Sequence, residues 1–139
     1  LASNQVEYSL VARAPERNGL LDVCRELGVV LIAYSPLGQG LLTGKYSPER
    51  PPSGIRRRAL SRKLAAVQPL VGLLTEIGQG HGGKTPAQVA INWAISKGTL
   101  SIPGARDAYQ ATQNAGAAGW RLSVDEMDAL DAASAAVTQ

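Results

Sequence analysis

Seven of the 14 basic residues of this 139-residue chain lie in one window, residues 45–63, where Glu49 is the one acid. Such a density of positive charge is typical of a site for a phosphate-bearing ligand, of a solvated loop or of a nucleic-acid surface. No nucleic-acid-binding motif accompanies the window, and no aromatic residue is interleaved after Tyr46, so we expect no nucleic-acid partner. The seven basic residues are Lys45, Arg50, Arg56, Arg57, Arg58, Arg62 and Lys63.

Three glycines in seven residues, Gly38, Gly40 and Gly44, directly precede Lys45. They belong to an irregular stretch over residues 35–58, and a loop of this length inside a compact domain is usually functional or mobile. The Gly38-x-Gly40 pair is not the Gly-x-Gly-x-x-Gly fingerprint of dinucleotide-binding folds, because the strand–turn–helix context and the later acidic residue are absent.

Several other chemistries are disfavoured. His81, the single histidine, lies between glycines and is predicted to be an exposed linker residue. No Cys/His/Asp cluster has metal-ligand spacing, so we expect no metal. Cys24 is the single cysteine, which excludes an intramolecular disulfide, and its place on a helix predicts core packing. No apolar run approaches the roughly 20 residues of a membrane span, so we expect no membrane partner.

The elements that must position these residues alternate between strand and helix patterns. Residues 29–34, VVLIAY, form a continuous apolar run that is typical of a strand buried on both faces. Pro69 lies within a helical pattern and predicts a kink or two shorter helices. Thr85, Asp107 and Ser123 are predicted to start helices. Strands are predicted at residues 4–10, 29–34 and 100–102, and helices at 16–27, 61–79, 86–97, 107–114 and from 124 onward.

Strands that alternate with helices indicate a parallel sheet built of βα units. Three such strands make neither a closed barrel nor a good open sheet, whereas a (β/α)8 barrel has eight strands and roughly 250 residues. The predicted fold class is therefore α/β: the C-terminal part of a (β/α)8 TIM barrel, incomplete in this chain, with one partial domain over residues 1–139. Leu1 is not an initiator methionine, and we expect further sequence upstream of it.

Five segments, in this order and spacing, resemble the aldo-keto reductase family. Asn114 and the helix over residues 123–130 extend the match, so that the resemblance covers essentially the whole chain. It implies barrel strands six, seven and eight, and an oxidoreductase that reduces aldehydes or ketones to alcohols with NADP(H). The segments are SNQVEYS at residues 3–9, LIAYSPLG at 31–38, GLLTGK at 40–45, KTPAQVA at 84–90 and IPGA at 102–105.

The resemblance implies a place for the nicotinamide. Gln5 would hydrogen-bond the carboxamide, and Tyr34 would stack on the ring and leave its other face open for hydride transfer. A polar residue at a strand edge and a packing tyrosine at the barrel mouth are the alternatives that need no ligand. Tyr34 is not assigned as the general acid, because the acid of the family is a tyrosine from an earlier strand.

The resemblance also implies where the diphosphate would lie. Glycine lets backbone N–H groups approach a phosphate closely, and a lysine adds a point charge. One arginine of residues 56–58 would close over the diphosphate, and we assign Arg58. The other residues of this set are Ser35, Leu37, Gly38, Gly40 and Lys45.

Arg106, Gln110 and Asn114 lie four residues apart and therefore on one face of a helix. They resemble the family set that grips the adenosine 2′-phosphate and the adenine, which favours NADPH over NADH. Gln113 departs from the acidic residue that relatives commonly have before the asparagine, which puts the adenine contact in doubt and leaves the phosphate contact intact.

The family protonates its substrate with an Asp, Tyr, Lys and His tetrad from earlier strands, so no catalytic residue is assigned in this chain. We expect the small carbonyl substrate to need the missing N-terminal half, and the isolated chain to be inactive. The alternatives are a non-catalytic NADPH-binding or barrel-completing interaction module and a basic phosphate-binding domain. The expected compartment is the cytoplasm, or a plastid for a longer plant or algal precursor.

Overall fold

Within the described residues the chain forms three strands and six α-helices. The computed structural model describes residues 1–138, and residues 55–59 by their backbone alone. The strands are β1 (Ser3–Glu7), β2 (Val30–Tyr34) and β3 (Leu100–Ile102). A 3-10 segment, Gly38–Thr43, follows β2. The helices are α1 (Ala14–Arg17), α2 (Leu20–Glu26), α3 (Ile55–Gly80), α4 (Pro86–Ser96), α5 (Ala108–Ala115) and α6 (Val124–Thr138).

The three strands form one parallel sheet in the order β1-β2-β3. Its register pairs Gln5 with Ile32 and Glu7 with Tyr34, and it pairs Ile32 with Leu100. Parallel neighbours need a crossover connection, which α1 and α2 supply between β1 and β2, and α3 and α4 between β2 and β3. The parallel order with intervening helices confirms the predicted α/β class.

One face of this sheet is covered by helices, and the other is open in this chain. Along β2, Leu31 and Ala33 are 2% and 0% exposed, whereas Val30 and Tyr34 are 48% and 40% exposed. Side chains alternate between the two faces of a strand, so adjacent residues of β2 have opposite environments. The prediction that this strand is buried on both faces is therefore wrong for this chain, because three strands are too few to curl around and enclose the second face.

The core lies between the covered face and the helices. Trp93 of α4 and Tyr8, which directly follows β1, are fully buried, and their rings stack with centroids 5.2 Å apart. Buried leucines from α3 and α6 complete this layer. Full burial of one such aliphatic side chain contributes about 1.5–3 kcal/mol, so this layer holds the sheet while its other face stays open.

α3 is one helix across Pro69 rather than two shorter ones, and it begins within the stretch that was predicted to be irregular. A proline inside a helix removes one backbone hydrogen bond. Leu64 and Val67 before Pro69 and Leu70 after it are at most 2% exposed. Their burial on both sides of the proline offsets the lost bond, and the helix continues.

The first predicted helix, residues 16–27, is divided into α1 and α2. Gly19, between them, has a left-handed backbone (φ +77°), which the interior of a right-handed helix does not accommodate. The Asn18 side-chain oxygen accepts the Leu20 N–H at 3.1 Å, which satisfies one backbone donor in the first turn of the second helix. β1 also ends three residues before its predicted end, because the chain turns through an isolated bridge between Ser9 and Ala12.

The three helix starts predicted from sequence are confirmed. Thr85 Oγ1 accepts the Gln88 N–H at 3.2 Å, and the Gln88 side chain accepts the Thr85 N–H at 2.9 Å. Ser123 and Glu126 form the same reciprocal capping box at the start of α6. The Asp107 side chain caps the start of α5. Each cap satisfies backbone N–H groups that a helix start leaves unpaired.

His81 is not the exposed linker residue that its glycine neighbours suggest. Its Nε2 lies 2.9 Å from Glu126 Oε1, and its ring lies against Trp120 with centroids 4.7 Å apart. The turn after α3 is thereby joined to the start of α6, a contact between residues 45 positions apart that local sequence does not reveal. Cys24 is buried, as predicted.

Candidate cofactor site

The residues that could hold a ligand lie where the parallel strands end. Tyr34 is the last residue of β2, and the loop over residues 35–45 leaves the sheet directly after it. A second loop, residues 103–107, leaves β3 at the same edge. In barrels built of βα units, this carboxyl-terminal edge is where ligands bind.

The open face carries two rows of side chains at this edge. Gln5 is a diagonal neighbour of Tyr34: it lies on the adjacent strand, two residues before Glu7, the register partner of Tyr34. Strand geometry places the Cα atoms of Gln5 and Tyr34 roughly 8 Å apart. Both residues are exposed, so the structure brings these two predicted site residues to one accessible surface. The upper row is Glu7, Tyr34 and Ile102, and the lower row is Gln5, Ile32 and Leu100.

The loop after β2 turns sharply away from Tyr34. Ser35 has a left-handed backbone (φ +52°), which is uncommon outside glycine. The Ser35 carbonyl accepts the Gly38 N–H at 2.9 Å and closes the turn. Gly38 is also left-handed (φ +55°), and a Cβ there would lie 2.5 Å from Val11 Cγ2. Glycine is therefore required at position 38 for both its backbone conformation and its packing.

The rest of this loop is held by its own backbone and by buried leucines. The Leu37 carbonyl accepts the N–H groups of Gly40 at 3.0 Å and of Leu42 at 3.3 Å. Gly40 has φ +99°, and a Cβ there would lie 3.1 Å from the Tyr46 ring. Lys45 Nζ lies 5.5 Å from the centre of that ring. The loop thus presents an exposed ammonium group on a well-anchored backbone.

The loop after β3 is braced by side chains of α5. The Gln110 side-chain oxygen accepts the Arg106 N–H at 3.1 Å, and Asn114 Nδ2 donates to the Gly104 carbonyl at 3.2 Å. The structure therefore brings Arg106, Gln110 and Asn114 together, but two of them already bind the loop backbone. Arg106 is exposed at the start of α5, where the helix adds positive potential.

Arg58 lies outside the described side chains, as do Arg56 and Arg57. Its predicted contact with the diphosphate therefore stays a prediction.

A half-buried charge cluster has residue types suited to acid–base chemistry and lies on the covered side of the sheet. The Tyr8 hydroxyl donates to Glu16 Oε1 at 2.6 Å, and Arg13 binds the same carboxylate through Nε at 2.8 Å. Lys97 Nζ donates to Asp131 Oδ2 at 2.5 Å, and Trp93 Nε1 donates to Asp131 Oδ1 at 2.9 Å. Sequence patterns missed this cluster because its members come from three separate regions of the chain, residues 8–16, 93–97 and 131.

Burial and the hydrogen bond to Glu16 raise the pKa of Tyr8 far above its ordinary value. Burial also raises the pKa of Glu16, but hydrogen bonds from Arg13 and Tyr8 outweigh it and hold that pKa below its usual range. Tyr8 thus stays protonated and Glu16 ionised. Because Tyr8 is 0% exposed, it cannot meet a substrate, and the cluster joins β1, α4 and α6 structurally.

In the part of the chain that the structure describes, no group of three or more His, Cys, Asp or Glu residues is arranged to hold a metal ion. The described helices also include none that is long and apolar enough to cross a membrane.

A family model described as the aldo/keto reductase family matches residues 1–135. The chain belongs to the aldo/keto reductase family. Chloroplastic pyridoxal reductase of Arabidopsis thaliana is 45% identical over 134 residues, which cover 96% of this chain and 36% of that protein. The Schizosaccharomyces pombe aldo-keto reductase yakc, whose name includes NADP(+), is 35% identical over 127 residues, which cover 86% of this chain and 37% of that protein.

Solved aldo-keto reductases share the fold. The thermostable aldo-keto reductase Tm1743 superposes with a TM-score of 0.72 at 31% identity, covering 94% of this chain and 39% of that one. The glycerol dehydrogenase of Gluconobacter oxydans superposes with a TM-score of 0.82 at 24% identity, covering 99% of this chain and 43% of that one, and supports the fold alone. The chain thus spans less than half the length of these relatives, and its open sheet fits an incomplete barrel.

The donor set of this aldo-keto reductase chain has the chemistry that a nicotinamide dinucleotide requires. Tyr34 offers a flat aromatic ring on the open face, and Gln5 beside it can both donate to and accept from a carboxamide. Lys45 and Arg106 are exposed cations on the two loops that border that face. One residue of the upper row, Glu7, was not identified from sequence, although its position two residues after Gln5 indicates that both lie on the same face.

Proposed function

We propose that this chain forms the nicotinamide-, diphosphate- and 2′-phosphate-binding part of an NADP(H)-dependent reductase of aldehydes and ketones. The observation that carries the proposal is the placement of Tyr34 on the open face, diagonal to Gln5 and directly before the glycine-bearing loop. The bound cofactor supplies the hydride, and residues 1–139 act as one cofactor-binding unit.

In this proposal each residue has a distinct task. The Tyr34 ring supports one side of the nicotinamide, so that the other side faces the substrate. Gln5 sets the rotation of that ring by pairing with its carboxamide. Ser35, Leu37, Gly38 and Gly40 form the turns against which the diphosphate lies. The Gly38 and Gly40 N–H groups hold the shape of these turns by donating to the Ser35 and Leu37 carbonyls, and the absence of side chains at the glycines allows the ligand to approach closely.

The cations then determine which cofactor is held. Lys45 neutralises diphosphate charge, with Arg58 assigned the same task. Arg106 pairs with the 2′-phosphate, for which its planar guanidinium fork suits the phosphate oxygens. Gln110 and Asn114 support that pairing by bracing the loop backbone around Arg106. These contacts favour NADP(H) over NAD(H), and the name of the fission-yeast relative includes NADP(+).

The same proposal expects the isolated chain to be inactive. Of the residues in the two rows of the open face, Glu7 and Tyr34 are the titratable ones, and Tyr34 is assigned to stacking. A carbonyl that accepts hydride needs a proton donor near its oxygen, which a complete barrel would supply from other strands. Pyridoxal is the first aldehyde to test, because one relative is named as a pyridoxal reductase and another as a probable pyridoxal reductase.

The test compares the 139-residue chain with a completed barrel. We define the completed barrel as a chimaera in which the part of Arabidopsis pyridoxal reductase that precedes the matched segment is joined to this chain. The completed barrel should oxidise NADPH when pyridoxal is added, whereas the 139-residue chain should not. NADPH oxidation by the isolated chain, or a folded chimaera that does not bind NADPH, would contradict the proposal.

A second candidate function is a non-catalytic, barrel-completing module. It is supported by the exposed apolar side chains of the open face, of which Val30, Leu100 and Ile102 are 48%, 54% and 42% exposed. Co-expression with the separate N-terminal part of the Arabidopsis relative tests it. Co-purification of the two proteins in a one-to-one complex supports the module. A monodisperse chain that does not bind the N-terminal part contradicts it.

For the compartment, we propose the cytoplasm, with a plastid as the alternative that the chloroplastic name of the Arabidopsis relative supports. Fractionation of source cells with an antibody against residues 108–115 would distinguish the two.

A further inference from the structure

Glu7 is the one charged residue in the two rows of the open face. It ends β1 and is the register partner of Tyr34, so the two side chains are nearest neighbours across parallel strands. Strands in a sheet lie roughly 4.8 Å apart, which sets the spacing of their Cα atoms. Glu7 is exposed, as is Gln5 two residues before it on the same face.

The Glu7 carboxylate differs from the carboxylates on the covered side in its neighbours. On the covered side, the carboxylates of Glu16 and Asp131 each bind a cation directly, with Glu16 paired to Arg13 and Asp131 to Lys97. In the upper row, the neighbour of Glu7 is instead an aromatic ring. An ionised carboxyl group that becomes enclosed without compensating charge is costly, so a cationic group is expected to come close when the face is covered.

We propose that Glu7 is a specificity-determining residue that favours the oxidised cofactor, because its carboxylate lies beside the place where the nicotinamide stacks on Tyr34. The inference rests on the proposed function. The oxidised nicotinamide ring carries a positive charge and the reduced ring is neutral. A neighbouring carboxylate therefore stabilises bound NADP(+) and leaves bound NADPH nearly unaffected.

This assignment separates Glu7 from its two neighbours on the same face. Loss of the Tyr34 ring or of the Gln5 amide removes contacts that both redox forms make, and it should weaken both forms alike. Loss of the Glu7 charge should weaken one form alone. The ratio of the two dissociation constants is thus the quantity that Glu7 controls.

The test measures Kd for NADP(+) and for NADPH by titration calorimetry of the completed barrel. Glu7→Gln keeps the shape and removes the charge. We expect it to weaken NADP(+) about tenfold, which corresponds to about 1.4 kcal/mol, and to change NADPH less than about twofold. Glu7→Asp should retain most of the preference. Glu76→Gln, which removes an exposed acid on α3, is the matched control and should change neither constant.

Three outcomes would overturn the inference. Unchanged dissociation constants for both forms in Glu7→Gln would show that another group neutralises Glu7. An equal weakening of both forms, which leaves the ratio unchanged, would show a structural role. If a thermal melt shows that Glu7→Gln is unfolded, Glu7→Ala, which also removes the charge, is measured in its place, and a ratio equal to that of the Gln5→Ala variant contradicts the proposal. Failure of the unsubstituted completed barrel to bind either form would instead remove the proposed function itself, and this inference with it.

Discussion

The two faces of the three-stranded sheet differ sharply in their exposure. Leu31 and Ala33 on one face are almost completely buried, while Val30 and Tyr34, their neighbours in the same strand, are nearly half exposed. The covered face is stabilised by aliphatic packing and a charge cluster, and the open face holds the residues proposed to bind the cofactor. Adjacent residues of one strand thus have different roles: one stabilises the fold on the covered face, and the next lies on the face proposed to bind the cofactor.

The largest expected effect tests the covered face. Leu31→Ala should lower the free energy of unfolding by about 3 kcal/mol, because it removes a buried side chain and leaves a cavity. Val30→Ala, one residue away on the open face, should cost less than about 1 kcal/mol. Urea unfolding of the two variants provides the comparison. Equal losses would mean that the two faces are not energetically distinct.

The next largest expected effect is a loss of NADPH binding when Arg106, beside the open face, is replaced. In the completed barrel, Arg106→Ala should weaken NADPH binding about 10- to 100-fold, because a charge-assisted contact with the 2′-phosphate contributes about 1.5–3 kcal/mol. NADH, which lacks that phosphate, should bind as before. Arg121→Ala, an exposed arginine in the segment before α6, is the control for general charge loss. A similar loss for NADH and NADPH would be evidence against this assignment.

A smaller effect sharpens the role of the residue that braces Arg106. Gln110→Ala should weaken NADPH binding about three- to tenfold, because the hydrogen bond from the Arg106 N–H to the Gln110 side chain is lost. If Gln110 acts through Arg106, the two substitutions together should cost little more than Arg106→Ala alone. Fully additive losses in a double-mutant cycle would instead indicate that Gln110 contacts the cofactor directly.

The smallest expected effect is the response of the covered side to acid. Burial raises the pKa of Glu126, but hydrogen bonds from Ser123 and His81 outweigh it and hold that pKa below its usual range. The ionised carboxylate therefore stabilises the fold at pH values above about 4.3, the ordinary glutamate value, and this contribution is lost as the pH falls through the lowered pKa. Urea unfolding at pH 7 and pH 3 should show a smaller difference in Glu126→Gln than in the unsubstituted chain. An identical pH difference in both proteins would rule out a stabilising role for the ionised form.

Local sequence patterns predicted the features that depend on near neighbours. Thr85, Asp107 and Ser123 start their helices as expected, because a capping side chain reaches backbone only two or three residues away. The division of the first helix at Gly19 was not predicted, because glycine is tolerated inside helices. In this chain, the left-handed backbone of Gly19 interrupts the helix. The unbroken course of α3 through Pro69 depends on leucines packed against distant elements, which a local pattern does not contain.

By itself, the amino-acid sequence determined the parallel α/β order, the family and the placement of Tyr34 at a strand end, because these depend on periodicity and motif spacing. Tertiary structure alone decided three further features. It paired His81 with Glu126, gathered Tyr8, Glu16 and Asp131 into one half-buried cluster, and set Glu7 beside Tyr34. The physical reason is that burial and strand register arise only when elements pack together. The local sequence around a residue does not show which distant residue it will contact.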